Sequence, residues 1–147
     1  MGNEIERKFL VKRLPDRLDG YSHKAISQGY IVITPDGTEV RLRKKGNKFF
    51  QTIKSGSGKT RSEKEIELTE NQFSGLWPLT EEKRVEKCRY DIPLNNLIAE
   101  LDIYEENLIG LLTVEVEFDI EEDSEKFIPP DWFGKEITED KRYKNQN

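Results

Sequence analysis

The sequence predicts a mainly β fold of the α+β class, with eight antiparallel strands closed into a barrel and a few helices packed outside it. Apolar and polar residues alternate along most of the 147-residue chain, as they do along strands whose two faces differ. Short turns rich in Gly, Pro, Asn and Asp join these stretches, which favours antiparallel neighbours. Closure of the sheet would leave no strand edge exposed.

The alternation and the turn residues place the strands along the chain. The eight predicted strands cover about residues 3–11, 24–34, 38–44, 48–55, 61–68, 82–92, 97–104 and 112–120. Between the second and third strands, Pro35-Asp36-Gly37 is a strong turn signal, so we expect a hairpin there.

Three segments have a helical pattern. Thr69 and Gln72 form a capping-box pattern at the start of a helix over residues 69–77. A short helix is predicted over residues 121–127, and a C-terminal helix over residues 137–144. These helices are expected to cover the apolar faces of the strands.

Composition limits the class of protein. Charged residues make up 36% of the chain and hydrophobic residues 34%, yet its aromatic residues argue against disorder. The net charge of −5 shows no basic excess for nucleic acid. The single Cys88 fits a reducing compartment, and neither a membrane-spanning run nor a signal-peptide pattern is present. We expect one cytoplasmic domain over residues 1–147, without a membrane or nucleic-acid partner; the oligomeric state is left open.

Like-charged pairs recur on single strand faces. The pairs are Glu4 with Glu6, Glu115 with Glu117, Arg41 with Arg43, and Lys87 with Arg89. Like charges at this spacing repel each other unless opposite charges lie between them. Carboxylates bind Mg²⁺ or Mn²⁺ through oxygen, and arginine and lysine hold phosphate oxygens. The segregated pairs therefore suit metal ions and a polyanion. If these faces point inward, the barrel is a hydrated tunnel with its apolar faces covered from outside.

The motifs resemble the CYTH superfamily, the triphosphate tunnel metalloenzymes, over nearly the whole chain. Glu4-Ile5-Glu6-Arg7-Lys8 resembles the ExExK signature of that superfamily. Further similar segments are residues 40–43, 52–54, 63–65, 85–90, 100–102, 114–118 and 140–143. The chain is similar to the short bacterial members, which have no accessory domain.

The resemblance implies an eight-stranded antiparallel tunnel that binds a triphosphate and divalent metal, here two ions of Mg²⁺ or Mn²⁺. The implied metal ligands are Glu4, Glu6, Glu115 and Glu117. The implied phosphate-binding residues are Lys8, Arg41, Arg43, Lys54, Lys87 and Arg89, together with Lys141 from a C-terminal helix that approaches the tunnel. The supporting acidic residues, which would orient basic groups or bound water, are Glu63, Glu65 and Asp102.

The predicted reaction is metal-dependent hydrolysis of inorganic triphosphate to diphosphate and phosphate, since no insertion for a nucleoside is evident. Glu6, Lys8 and Glu117 are the predicted catalytic residues, with Glu6 or Glu117 helping to position the attacking water. Arg7, on the opposite strand face, is expected to lie outside the tunnel. Three alternatives stay open: a class IV-like adenylate cyclase, a nucleoside or thiamine triphosphatase, and a polyphosphate-binding module without turnover.

Several residues invite other interpretations. Residues 55–60 contain a GKT sequence, but the spacing of a P-loop and its following helix are absent, so a hairpin turn is predicted. His23 is predicted to be a surface or structural residue. Cys88 is expected on the outward face as a packed, unreactive thiol, and Tyr30 is expected to serve packing.

Overall fold

The computed structural model describes residues 2–56 and 60–143, without the side chains of Gly2, Asn3, Thr60 and Lys141. The strands are β1 Gly2–Val11, β2 Ser22–Ile33, β3 Glu39–Lys45, β4 Lys48–Ser55, β5 Thr60–Leu68, β6 Arg84–Leu94, β7 Leu97–Tyr104, β8 Leu112–Phe118 and β9 Phe133–Glu136. The helices are α1 Glu70–Leu76 and α2 Glu121–Lys126, and the 3-10 turns are Leu18–Gly20, Trp77–Thr80, Glu106–Leu108 and Lys141–Tyr143.

The first eight strands form the predicted closed antiparallel barrel. Their spatial order is β5-β4-β3-β2-β6-β7-β8-β1, and β1 returns to pair with β5. The closing register runs from Gly2 opposite Glu63 to Ile5 opposite Thr60. In this order β1 and β2 lie across the barrel from each other, which fixes the two walls of the site described below.

The apolar core lies on the outer face of the barrel. Along β1, Glu4, Glu6 and Lys8 line the interior cavity, so by alternation Phe9 faces outward. Phe9 packs against a buried cluster from neighbouring strands, whose members are Ile92, Ala99, Leu101, Val114, Val116, Phe118 and Phe133. Phe127 and Trp132 cover this cluster from outside. The prediction that the charged faces point inward is therefore confirmed.

Helix α1 covers the opposite side of the barrel. Its predicted capping box is present, because Thr69 Oγ1 accepts from Gln72 N and Gln72 Oε1 accepts from Thr69 N. Phe73 packs on Phe49 of β4 at 4.9 Å between ring centroids and stacks on Trp77 at 5.0 Å. The helix thus places aromatic side chains over the strands, as the sequence predicts.

The predicted C-terminal helix over residues 137–144 is wrong. Just before this segment, Phe133–Glu136 form β9, which pairs with β1 through Phe133 opposite Val11. Beyond β9, Ile137 N donates to Lys8 O at 2.7 Å, and Thr138 Oγ1 accepts from Lys8 N at 3.0 Å. Because Thr138 Oγ1 accepts from Lys8 N, it does not cap a helix, and among the described residues that follow, only Lys141–Tyr143 form a 3-10 turn.

The strand predictions need only small corrections. The second strand begins two residues earlier than predicted, at Ser22, and the eighth ends at Phe118 rather than 120. The sixth begins at Arg84 rather than 82, because residues 81 and 82 form a turn in which Lys83 N donates to Thr80 O at 2.9 Å. In the described part of the chain, no helix combines the length and apolar character that crossing a membrane requires.

Candidate active site

A cavity of about 260 Å³ lies between the inner faces of the strands. The sequence-predicted residues that line it are Glu4, Glu6, Lys8, Arg41, Arg43, Lys54, Glu63, Glu65, Arg89, Glu115 and Glu117. The lining residues outside that prediction are Tyr30, Glu39, Lys45, Arg61, Glu100, Ile137, Thr138, Asp140 and Tyr143. The side chain of Lys141, a predicted phosphate ligand, lies outside the described part of the chain.

Three carboxylates converge on one wall of the cavity. Glu4, Glu63 and Glu117 each place one oxygen within 4.8 Å of the other two. They stand on β1, β5 and β8, which are neighbours in the closed barrel. Oxygen ligands at this spacing fit a hard divalent cation. Glu63 is predicted only as a supporting residue, but the closing register places it within this carboxylate cluster.

The carboxylate cluster carries negative charge that Lys54 compensates only in part, by donating to Glu4 Oε2 at 3.2 Å. Partial burial raises the pKa of Glu117 to about 7, and the negative charges of Glu4 and Glu100 add to this shift. Lys54 Nζ lies 3.1 Å from Glu4 Oε1, yet this buried oxygen accepts no hydrogen bond from the described residues. A bound cation would relieve the repulsion and use the free lone pairs, so the residues present fit a divalent metal ion.

Glu6 and Glu115 form a separate acidic pair. Burial and the neighbouring Glu115 raise the pKa of Glu6 well above its usual value. Burial also opposes ionisation of Glu115, but its hydrogen bond with Glu6 and the charge of Lys8 prevail and lower its pKa to about 2. The structure brings all four predicted metal ligands into one cavity, but it divides them between this pair and the carboxylate cluster, and their roles stay predictions.

Three arginines form the wall across from the carboxylate cluster. Arg41 and Arg43 stand on β3 and Arg89 on β6, on either side of β2. Burial, followed by the positive charges of Arg41 and Arg89, lowers the pKa of Arg43 to about 9. Arg41 Nε is buried and has no hydrogen-bond partner among the described residues. This basic wall therefore suits an anion with several oxygens.

Arg89 is held from behind by a buried carboxylate. Asp102 accepts from Arg89 Nε at 2.7 Å and from Nη2 at 2.9 Å, and Lys87 Nζ lies 2.8 Å from it. The side chain of Lys87 is 0% exposed, and burial lowers its pKa. Lys87 and Asp102 are not among the lining residues, so the structure places them behind the basic wall.

The remaining predicted residues occupy the cavity rim and side walls. Lys8 Nζ donates to the Tyr143 carbonyl oxygen at 2.9 Å, and Thr52 donates to Glu65 at 2.8 Å. Arg61, a lining residue outside the predicted set, donates to the carbonyl oxygens of Gly37 and Gly56 and so ties two hairpin turns together.

The sequence does contain a signal for several of the missed lining residues. Strand alternation places Glu39 on the face of Arg41, and Arg61 on the face of Glu63. Residues 137–143 follow no such strand alternation, and only the resemblance indicates that this segment approaches the tunnel, because its position depends on contacts with β1.

Arg7, Cys88 and His23, which the sequence sets aside, lie outside the cavity, whereas Tyr30 lines it. Arg7 faces outward, pairs with Glu136 at 2.8 Å and donates to two carbonyl oxygens near α2. Burial raises the pKa of the Cys88 thiol, and His23 stacks on Tyr90 at the surface. Strand β5, rather than a helix, follows the glycine-rich turn, which excludes a P-loop; residues 57–59 lie outside the described part of the chain.

A closed eight-stranded barrel with opposed acidic and basic inner walls defines a protein of the triphosphate tunnel, or CYTH, superfamily. The chain is 49% identical over 145 residues to an inorganic triphosphatase of Nitrosomonas europaea, covering 97% of this chain and 94% of the relative. It is 33% identical to an inorganic triphosphatase of Acetivibrio thermocellus, covering 100% and 93%. The chain belongs to the inorganic triphosphatase family.

Solved structures agree with this assignment. A crystal structure of an inorganic triphosphatase matches with a TM-score of 0.72 and 46% identity, over 99% of this chain and 93% of that one. A Hippeastrum protein, described as a putative adenylyl cyclase with a dominant triphosphatase activity, matches with a TM-score of 0.58 and 17% identity, which shows the shared fold alone. No family model matches the chain.

Proposed function

We propose that this protein hydrolyses inorganic triphosphate to diphosphate and phosphate with the help of Mg²⁺ or Mn²⁺. The observation that carries the proposal is the opposition of the carboxylate cluster and the basic wall across one small cavity. The two relatives named inorganic triphosphatases support it. The proposal places the reaction in the cytoplasm, which the free thiol of Cys88 supports.

We propose that carboxylates bind the metal ions and that arginines bind the phosphate groups. Glu4, Glu63 and Glu117 would hold one metal ion, and we propose Glu6 and Glu115 as ligands for a second. Such ions neutralise phosphate charge and lower the pKa of a water molecule. The three guanidinium groups of the basic wall bind phosphate oxygens and stabilise the negative charge that develops on them as the phosphoanhydride bond breaks. They are in place before the substrate arrives, which reduces the cost of reorganisation.

Cavity size favours inorganic triphosphate over larger esters. Pockets for drug-sized ligands occupy about 300–1,000 Å³, whereas this cavity occupies about 260 Å³. Its described walls are almost wholly charged, with Tyr30 and Tyr143 as the aromatic exceptions. A nucleoside or thiamine group would need an apolar recess that these walls do not offer. A module that only binds polyphosphate would not need the carboxylate cluster.

The test is a product assay across substrates. The protein is incubated with tripolyphosphate, ATP or thiamine triphosphate, each with Mg²⁺, Mn²⁺ or EDTA, and phosphate, diphosphate and cyclic AMP are resolved. We expect tripolyphosphate to be cleaved fastest and EDTA to abolish cleavage. Cyclic AMP from ATP would instead identify a cyclase, and no product from any substrate would identify a binding module. Undiminished cleavage in EDTA would overturn the metal requirement while leaving the hydrolase assignment in place.

A further inference from the structure

A buried glutamine connects two residues of the basic wall. Gln28 lies in β2, between Arg43 of the neighbouring β3 and Tyr30 two residues along the same strand face. Arg43 Nε and Nη2 donate to Gln28 Oε1 at 3.0 and 2.8 Å, and Gln28 Nε2 donates to Tyr30 Oη at 2.9 Å. Gln28 is 0% exposed and stands behind the cavity wall, whereas Arg43 and Tyr30 line it.

The chemistry of the partners fixes the orientation of this amide. A guanidinium group has donors but no acceptor, so the Gln28 atom that faces Arg43 must be the carbonyl oxygen. The amide nitrogen must then face Tyr30 and donate to its oxygen. The hydrogen-bond partners alone therefore determine which end of the Gln28 amide is oxygen and which is nitrogen.

The direction of the Tyr30 proton follows from that bond. A phenol oxygen carries one proton and can accept two hydrogen bonds. Because Tyr30 Oη accepts from Gln28 and also interacts with Arg41, its own proton must point away from both donors. Tyr30 lines the cavity, so this proton is left for an acceptor on the cavity side. Burial raises the pKa of Tyr30 to about 12, so this proton is retained at neutral pH.

We propose that Gln28 is a positioning residue that aims the Tyr30 hydroxyl proton and the free N–H groups of Arg43 at phosphate oxygens of the substrate. The inference rests on the proposed function, because it names donors for the same triphosphate. Gln28 stands on β2, directly across the barrel from β1 and its carboxylates, so donors held there face a substrate bound between the walls. Donors fixed in advance are the most effective at stabilising developing charge.

The substitution Gln28→Glu separates the two contacts. A carboxylate still accepts from Arg43 but cannot donate to Tyr30, so the Tyr30 hydroxyl turns to donate to the new carboxylate. We expect kcat for tripolyphosphate to fall about tenfold to a hundredfold, the effect of losing a hydrogen bond to a charged group. KM should rise as well, because the added negative charge offsets that of Arg43.

A double-mutant cycle identifies the route of the effect. In the Tyr30→Phe background there is no hydroxyl to redirect, so Gln28→Glu should lower kcat less than about twofold further, while its effect on KM persists. Gln28→Met, which removes both contacts without adding charge, should lower kcat in the native background and keep only the smaller part of that effect that passes through Arg43 in the Tyr30→Phe background. Gln51→Glu is the matched control, because it makes the same change on the outer face of β4. Circular dichroism and thermal melting verify the fold of each variant.

Three results would count against the inference. The first is that Gln28→Glu and Gln28→Met both fold and keep kcat within about threefold of the native value. The second is that the Gln28 substitutions lower kcat equally in the native and Tyr30→Phe backgrounds. If the native protein cleaves no tripolyphosphate, the proposed function fails separately. Binding of tripolyphosphate in EDTA, measured by calorimetry, then tests Gln28; unchanged affinity in Gln28→Met is the third contrary result.

Discussion

At the scale of the residue, neighbouring side chains have separate roles because each strand has two faces. Arg7 holds the outer layer through Glu136 and the carbonyl oxygens of Ser124 and Phe127, while Lys8 points into the cavity. The sequence predicts this division from alternation alone, and the structure shows what each side chain contacts.

Arg7→Ala and Lys8→Ala should therefore have opposite consequences. We expect Arg7→Ala to lower the free energy of unfolding by about 1–3 kcal/mol, through the loss of hydrogen bonds to charged groups, and to keep kcat/KM near the native value. Lys8→Ala should keep its melting temperature but lose about tenfold to a hundredfold in kcat/KM for tripolyphosphate. Urea unfolding and initial rates measure the two effects. A larger loss of activity in Arg7→Ala than in Lys8→Ala would contradict the assignment.

The membership of Glu63 in the carboxylate cluster gives a second prediction. Glu63→Gln removes one of three converging charges, so the Mg²⁺ concentration for half-maximal activity should rise at least about tenfold. Replacing a residue that only supports a metal ligand already lowers metal affinity by about that much. The control is Glu122→Gln on exposed α2, where the carboxylate pairs with Lys126. A magnesium titration that is superimposable for native protein and Glu63→Gln would remove Glu63 from the proposed metal site.

At the scale of the element, the sequence predicts strands and turns whose signals lie within a few residues. It misses elements that form only through pairing with a distant segment of the chain. The alternation in β3 and the turn at Pro35-Asp36-Gly37 lie within a few residues, and both are predicted correctly. Strand β9 has only four residues, and it exists because β1 offers it a partner. Thr138 lies where a helix N-cap is expected, but its Oγ1 accepts a hydrogen bond from the backbone N–H of Lys8 instead.

The position of β9 against the apolar core can be tested by truncating one side chain. Phe133 is buried and packs on Phe9 at 5.0 Å between ring centroids. Phe133→Ala should lower the free energy of unfolding by about 3–5 kcal/mol, as in other buried Phe→Ala changes. Ile128→Ala, at a residue that is 86% exposed, should change it by less than about 0.5 kcal/mol. Equal unfolding midpoints for the two variants would contradict the placement of β9 over the core.

Strands β6 and β7 are joined by a buried charge cluster, which makes their stability depend on pH. Burial alone would raise the pKa of Asp102, but Lys87 and Arg89 outweigh it and hold that pKa well below the usual value. Because the pKa is lower in the folded state than in the unfolded state, the ionised carboxylate stabilises the fold fully above the unfolded pKa of about 3.9. That contribution is lost as the pH falls further.

Asp102→Asn should therefore cost about 3–5 kcal/mol at pH 7, because it leaves buried cations without their counter-charge. The difference in stability from the native protein should shrink as the pH falls below about 4. Urea midpoints between pH 2 and 7 measure it, with the exposed Asp131→Asn as control. A difference that stays constant down to pH 2 would show that Asp102 is not stabilised as a carboxylate.

At the scale of the whole molecule, the site depends on closure of the barrel. The acidic pairs and basic pairs are visible in the sequence, and the resemblance to the tunnel superfamily gives their inward direction. The register between β1 and β5 is not visible, because it joins segments far apart in the chain. For this reason Glu63 is predicted as a supporting residue rather than as a member of the carboxylate cluster.

The charged interior also makes stability sensitive to ligands. An anion on the basic wall relieves repulsion between Arg41, Arg43 and Arg89, so tripolyphosphate in EDTA should raise the melting temperature. At about 100 times its dissociation constant, the gain is about 2.7 kcal/mol, or about 5–10 °C for a domain of this size. Phosphate should give a smaller shift, and Arg41→Ala should reduce the shift by tripolyphosphate. An equal shift in Arg41→Ala would place the anion elsewhere.

The location of the apolar core outside the barrel has a consequence for divergence among related proteins. Along residues 4–9 of β1, even-numbered side chains line the cavity and odd-numbered ones face the outer layer. A single substitution in such a strand therefore changes either the substrate that the cavity binds or the stability of the fold. We expect lineages to exchange inner residues as their substrates change while inheriting the outer layer, and a designer of anion receptors could recode the interior in the same way.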